Sequence, residues 1–127
     1  MATIVLNETD PGRQKYLKKS LQRQGHQVWL ADRLDQINAI LSDVSAQMLS
    51  IDLDRQNLDA VTQFGERWKG VKILFQTSDS DLRYDFRTWM ADQFVLKEIS
   101  TEKMQRAIEH LVGSNTTNGG IRHANYL

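Results

Sequence analysis

The chain has 127 residues, the length of a single domain, and its 16 basic residues balance 16 acidic ones. This neutral balance gives no broad electrostatic attraction for nucleic acid or for an anionic membrane surface. The absence of cysteine excludes disulfides and thiolate metal sites, and no apolar run approaches the roughly 18 residues that cross a membrane. The first residues do not resemble a signal peptide, so a soluble cytoplasmic domain is expected.

The first part of the chain alternates short apolar segments with amphipathic ones. Residues 3–6 and Gln27–Leu30 are rich in strand-forming side chains and predict the first two strands. Between them, Asp10 followed by proline predicts the start of a helix, and Gly25 predicts its end. Asp32 is a candidate cap for a second helix, because the apolar residues Leu34, Ile37 and Leu41 recur at helical spacing.

The central apolar run, Met48–Asp52, ends in a carboxylate and predicts a buried strand of a parallel sheet. Further apolar residues predict a third helix that ends near Gly70, and a fourth strand comes next. A fourth helix should follow, capped by Asp79 or Ser80 and with Phe86 among its packed residues.

Residues 94–96 predict a fifth strand that ends at Lys97, and Ser100 predicts the cap of the last helix. After that helix the composition changes to Ser, Asn, Thr and Gly. We therefore expect one domain over residues 1–113 and a flexible tail or linker over residues 114–127. The strict alternation of strands and helices predicts a parallel sheet with helices on both faces.

Polar side chains follow four of the five predicted strands. In a parallel sheet the carboxyl ends of the strands meet at one edge, which is where such sheets bind ligands. The residues at these ends are Glu8 and Thr9, then Asp52, then Thr77, and finally Lys97. Two carboxylates, a hydroxyl and an ammonium in one place are suited to phosphoryl transfer.

Each of these side chains would have its own role in that chemistry. Asp52 would attack a phosphorus atom and form an acyl phosphate. Glu8 and Asp52 would hold Mg²⁺, a hard cation that needs only one or two carboxylates. Thr77 and Lys97 would bind the equatorial phosphoryl oxygens and neutralise their charge.

The order and spacing of these residues resemble the receiver domains of two-component response regulators, the family of the chemotaxis response regulator. The resemblance covers residues 4–112, nearly all of the predicted domain. The matching motifs are residues 8–11, residues 49–52, Asp59, the pair Thr77 and Ser78, and residues 91–97.

The resemblance implies a flavodoxin-like fold, a doubly wound parallel sheet with strand order 2-1-3-4-5. It implies that a histidine kinase or phosphotransfer protein phosphorylates Asp52, so the chain would not be an enzyme beyond self-phosphorylation and self-dephosphorylation. Mg²⁺ would be held by Glu8, Asp52 and the backbone carbonyl of Asp54. A switch would move the Thr77 hydroxyl to the phosphoryl group and turn the Phe94 ring inward.

The resemblance also implies an output face, formed by the fourth helix, the fifth strand and the fifth helix. A downstream effector protein or domain would bind there, and two copies of the chain would pair there, with no direct contact to nucleic acid or membrane. The residues expected on this face are Arg83, Arg87, Trp89, Phe94 and those near Glu98.

The chain departs from the pattern of these receivers at several positions. Thr9 replaces the second acid of the metal-binding pair, and a neutral hydroxyl should weaken Mg²⁺ binding. The carboxylate of Asp54 could either compensate for that loss or repel an incoming phosphate. Glu98 replaces the usual proline, so the bond between Lys97 and Glu98 is predicted to be trans.

Two other functions stay open at this point. The departures motivate a pseudo-receiver, in which the same fold is a phosphorylation-independent protein-binding module. The third alternative is a flavodoxin-like or hydrolase enzyme. It has less support, because no glycine-rich phosphate loop follows the first strand and no Ser or Cys nucleophile with a nearby histidine is evident.

Overall fold

The computed structural model describes residues 2–113 and 125–126 and has a six-stranded sheet packed by helices on both faces. The strands are β1 (Thr3–Asn7), β2 (Gln27–Leu30), β3 (Met48–Asp52), β4 (Lys72–Thr77), β5 (Gln93–Leu96) and β6 (Asn125–Tyr126). The helices are α1 (Pro11–Arg23), α2 (Leu34–Asp43), α3 (Leu58–Gly65) and α4 (Thr101–Gly113). Short 3₁₀ turns lie at Leu53–Arg55, Ser80–Tyr84 and Phe86–Thr88.

The strand order is β2-β1-β3-β4-β5-β6, and all neighbouring strands are parallel. This confirms the predicted order of the first five strands and the flavodoxin-like fold. β6 is an addition to the prediction, with Asn125 opposite Gln93 of β5. It falls within the segment predicted as a tail, and the rest of that segment, residues 114–124 and 127, lies outside the described residues.

Helix α1 begins and ends as the sequence predicts. The Asp10 carboxylate accepts the backbone N–H groups of Gly12 at 2.9 Å and Arg13 at 3.3 Å, and Pro11 occupies the first helical position. Gly25 follows the helix with a φ of +91°, which glycine adopts without strain. These bonds fix the start of α1 beside the end of β1.

Helices α2 and α3 differ from the prediction at their ends. Asp32 does not cap α2: its backbone N–H donates to the Gln36 side chain at 2.7 Å, and the capping position is Arg33. α3 ends at Gly65 instead of near Gly70. The backbone bonds that follow it span three residues rather than four, and they close a tight turn that ends the helix.

The predicted fourth helix is wrong, because two 3₁₀ turns take its place. Asp79 and Asp85 each accept a backbone N–H from two residues further along. The buried Thr88 hydroxyl donates to two backbone carbonyls of the same segment. These side-chain bonds compete with a regular helical ladder. As a result Phe86, predicted to be packed, is 72% exposed.

Apolar side chains pack against each face of the sheet in a separate cluster. One cluster joins α2 and α3 to Phe75 and Phe94, and the other joins α1 and α4 to Leu74 and Val95. All residues of β3 are buried, as expected of a central parallel strand. Among the described residues, no helix has the length and apolar character that crossing a membrane requires.

Candidate functional site

The carboxyl ends of four strands bring the predicted site residues to one edge of the sheet. Asp52 ends β3 and Thr77 ends β4, and both are fully buried. Glu8 follows β1 and is 3% exposed, while Lys97 follows β5. The parallel register of these strands places their ends side by side, as the sequence predicts.

The carboxylate of Asp52 is surrounded by donors. Oδ2 accepts from Lys97 Nζ at 2.6 Å, from the Thr9 backbone N–H at 3.4 Å and from the Thr9 hydroxyl. Oδ1 accepts the backbone N–H of Asp54 at 3.0 Å. Both oxygens are therefore already hydrogen-bonded within the chain.

Asn7 also supports this site, although it is not among the predicted site residues. Its side-chain oxygen accepts the backbone N–H of Asp52 at 3.1 Å, and its amide donates to the Ala31 carbonyl at 2.9 Å. Asn7 is fully buried and so ties the end of β1 to the ends of β2 and β3. The signal that could have identified it is an amide at the last position of an otherwise apolar strand.

The ammonium of Lys97 lies between two carboxylates. Nζ is 2.6 Å from Asp52 Oδ2 and 3.0 Å from Asp54 Oδ2. Burial lowers the pKa of Lys97, but the hydrogen bonds and charges of Asp52 and Asp54 outweigh burial and raise the pKa above its ordinary value. Lys97 therefore stays positively charged at neutral pH.

The carboxylate of Asp54 reaches across to β4. Oδ1 accepts the Thr77 hydroxyl at 2.7 Å and the Ser78 backbone N–H at 3.0 Å, and Oδ2 accepts the Ser78 hydroxyl at 2.8 Å. Burial raises the pKa of Asp54, but the hydrogen bonds from Thr77, Ser78 and Lys97 together lower it to about 2. Asp54 is therefore a fixed anion of the pocket.

Glu8 contacts two side chains, Gln76 and Arg13, that are not among the predicted site residues. Oε2 accepts from the Gln76 side-chain amide and lies 3.4 Å from Arg13 Nε, and Oε1 accepts the Asp10 backbone N–H at 3.2 Å. Arg13 Nη1 also lies 3.5 Å from the carbonyls of Lys97 and Ile99. Gln76 shares the signal of Asn7, a polar residue late in an apolar strand. Nothing in the sequence marks Arg13.

The side chains expected to hold Mg²⁺ are arranged for other contacts. Glu8 is ion-paired with Arg13, Asp52 is ion-paired with Lys97, and the Thr9 hydroxyl donates a hydrogen bond to Asp52. Over residues 2–113, no group of three or more Asp, Glu, His or Cys side chains could hold a metal ion. Mg²⁺ fills most of its near-octahedral shell with water, but it still needs one or two carboxylates whose oxygens are free to bind it. As arranged, the residues do not fit the ion.

The two residues of the expected switch lie in defined positions. The Phe94 ring is 1% exposed and packs in the cluster of α2 and α3, so it faces inward. The Thr77 hydroxyl donates to Asp54. The peptide bond between Lys97 and Glu98 is trans, as predicted, like every peptide bond in the described part of the chain.

The expected output face is carried by the 3₁₀ turns instead of by a helix. Arg87 donates to Asp85 and Asp59, at 2.6 Å in each case, and these hydrogen bonds raise the pKa of Arg87. Asp59 thus binds Arg87. Trp89 is 52% exposed, whereas Phe94 is not on this surface.

The fold is similar to those of solved response regulators. The receiver domain of the TMAO respiratory system response regulator TorR is 22% identical with a TM-score of 0.77, and the match covers 88% of this chain and 97% of that chain. TrrA from Thermotoga maritima, in complex with Mg²⁺-BeF, is 21% identical with a TM-score of 0.74, covering 87% and 99%.

A chain from the structure of histidine kinase ThkA in complex with TrrA is 21% identical with a TM-score of 0.73, and the match covers 87% of this chain and 98% of that chain. No protein-family model matches the sequence, and no curated protein does. Identities this low show the fold alone, and at that level the predicted resemblance is confirmed: this chain has the receiver fold of two-component response regulators.

Proposed function

We propose that this chain is a receiver-type signalling module that binds a protein partner and whose state is set in the pocket of Asp52 and Lys97. The observation that carries the proposal is the 2.6 Å contact between Lys97 Nζ and the fully buried carboxylate of Asp52. Desolvating such a pair opposes folding about as much as the attraction favours it, so stability alone does not account for it. The similar structures support the same role, which would be carried out in the cytoplasm.

In its first form, this module is a phosphoacceptor. A carboxylate oxygen of Asp52 would attack the phosphorus of a phosphohistidine on a histidine kinase or phosphotransfer protein. The O–P bond would form as the N–P bond breaks, and the imidazole would leave. Lys97 would neutralise one phosphoryl oxygen. The structure of ThkA in complex with TrrA supports a kinase as the kind of partner.

In its second form, the module binds its partner without phosphorylation. This form is favoured by the pairing of the pocket carboxylates with cations of the chain itself. Arg13 is paired with Glu8, and Lys97 is paired with Asp52 and Asp54. Both oxygens of Asp52 are hydrogen-bonded and the residue has no exposed surface. We favour this second form, because the first requires these pairs to separate.

Transfer of label from radiolabelled acetyl phosphate to the chain, measured with and without Mg²⁺, distinguishes the two forms of the proposal. Label on the wild type that is lost in Asp52→Asn and kept in Asp59→Asn would support the phosphoacceptor. No label on the wild type or on either variant would support the phosphorylation-independent module. Label on Asp52→Asn equal to that on the wild type would place the chemistry elsewhere and overturn the assignment of the pocket.

The partner surface that we propose is the aromatic surface of Tyr84, Phe86 and Trp89. These side chains are 69%, 72% and 52% exposed on one short segment. Large exposed aromatic side chains are typical of protein interfaces. An effector protein would bind there, and a homodimer would form through the same surface.

A further inference from the structure

The carboxylate of Asp54 makes the contacts that a bound phosphoryl group would make. Under the proposed function, the Thr77 hydroxyl and the Lys97 ammonium are the groups that bind phosphoryl oxygens. Both are already bonded to Asp54, at 2.7 Å and 3.0 Å. Ser78 adds its backbone N–H and its hydroxyl, at 3.0 Å and 2.8 Å. Thr77, Ser78 and Lys97 thus all contact the Asp54 carboxylate.

The backbone after β3 aims Asp54 at these donors. Asp52 Oδ1 accepts the Asp54 N–H at 3.0 Å and caps the 3₁₀ turn Leu53–Arg55. This turn carries the Asp54 side chain over the sheet edge to the end of β4. Asp52 therefore sets the backbone position of Asp54, and Thr77, Ser78 and Lys97 hold its side chain.

We propose that the Asp54 carboxylate is a resident substitute for a phosphoryl group and holds the receiver in its switched state without phosphorylation. This inference rests on the proposed function and gives a cause for its second form. Asp54 keeps the Thr77 hydroxyl turned into the pocket, while Phe94 on the adjacent strand stays buried.

The contacts of Asp54 keep its donors occupied. Lys97 Nζ lies 3.0 Å from its carboxylate, and the Thr77 and Ser78 hydroxyls donate to it at 2.7 Å and 2.8 Å, so each contact favours the charged form. An incoming oxyanion would have to displace a carboxylate that has several donors and would be repelled by it. The site should therefore bind free oxyanions only after the Asp54 carboxylate is removed.

The test is an NMR titration with inorganic phosphate, which observes the backbone amides of Thr77 and Ser78. We expect little response from the wild type. Asp54→Ala should bind phosphate with an apparent Kd at least about tenfold lower, with the largest shifts at these amides. Glu98→Ala is the matched control, because it removes an exposed negative charge beside Lys97 and should behave like the wild type.

A second variant keeps the test valid if Asp54→Ala does not fold. Asp54→Asn keeps the size and an acceptor oxygen, so it should fold, yet it should weaken the Thr77 contact and shift the Thr77 and Phe94 signals. Unchanged Thr77, Ser78 and Phe94 signals in Asp54→Asn, or equal phosphate binding by Asp54→Ala and wild type, would overturn the inference. Neither result depends on labelling of Asp52, so failure here is distinct from failure of the proposed function.

Discussion

At the residue scale, the environment of Asp54 decides its role. Its position in the sequence marks it only as an acid close to Asp52. In the fold it accepts hydrogen bonds from Thr77, Ser78 and Lys97, which lie on or after β4 and β5. These donors lower its pKa from the ordinary 3.8 to about 2. An acid that could have faced solvent thus contributes to stability.

This difference in pKa predicts how stability depends on pH. The folded pKa of about 2 is below the ordinary value of 3.8, so the charged carboxylate stabilises the fold. The contribution is fully present above pH 3.8 and is lost as the pH falls through about 2. We expect about 1 kcal/mol at neutral pH, less than the whole shift, because solvent reaches Asp54 and screens the interaction.

Urea unfolding of the wild type and Asp54→Asn over a range of pH measures this contribution. The difference in unfolding free energy should fall from about 1 kcal/mol near neutral pH to near zero in strong acid. Asp43→Asn is the control, since its side chain is exposed at the end of α2 and lies outside the pocket. A difference for Asp54→Asn that does not change with pH would contradict the prediction.

At the scale of elements, Arg13 joins helix α1 to the rest of the pocket edge. Its guanidinium is paired with Glu8, which follows β1, and lies 3.5 Å from the carbonyls of Lys97 and Ile99, which precede α4. The side chains of Arg13 and Glu8 are only 10% and 1% exposed. Removing one partner would leave the other as an uncompensated buried charge.

This pairing predicts a strongly non-additive pair of substitutions. Arg13→Met should destabilise the chain by about 3 kcal/mol, because Glu8 loses its only ion-pair partner among the described residues. The double variant Glu8→Gln with Arg13→Met should recover most of that loss, since no buried charge is left. Urea unfolding gives both values. A double variant less stable than Arg13→Met alone would rule out the ion pair as the cause.

At the scale of the whole molecule, local sequence patterns predicted most strands and helices, but not the side-chain contacts between residues distant in the chain. Asp10 and Gly25 mark the start and the end of α1, because both act on residues nearby in the chain. The apolar run that ends at Asp52 is enough by itself to predict β3. The prediction of a fourth helix was wrong, because the Thr88 hydroxyl donates to the backbone carbonyl of Leu82 and apolar periodicity gives no sign of that bond. Arg13 was missed because the carbonyls it contacts are more than eighty positions away, and because its ion pair with Glu8 depends on how α1 packs beside the end of β1.

The effect of Mg²⁺ can be tested by measuring the thermal stability of the whole chain. Since Arg13 and Lys97 already neutralise the pocket acids, Mg²⁺ should leave the melting temperature of the wild type unchanged. Thr9→Asp adds the missing carboxylate beside Asp52. Without metal this variant should be less stable than the wild type, because two carboxylates then repel each other.

With Mg²⁺ at ten times its dissociation constant, Thr9→Asp should regain about 1.4 kcal/mol, because a ligand that binds only the folded chain stabilises it. Thr9→Val serves as the control, since it removes the hydroxyl that donates to Asp52 without adding an acid, and it should not respond to Mg²⁺. Thermal unfolding with and without Mg²⁺ measures all three proteins. If the wild type gains as much as Thr9→Asp, the resident cations do not replace the metal, and the phosphoacceptor form of the function becomes the better one.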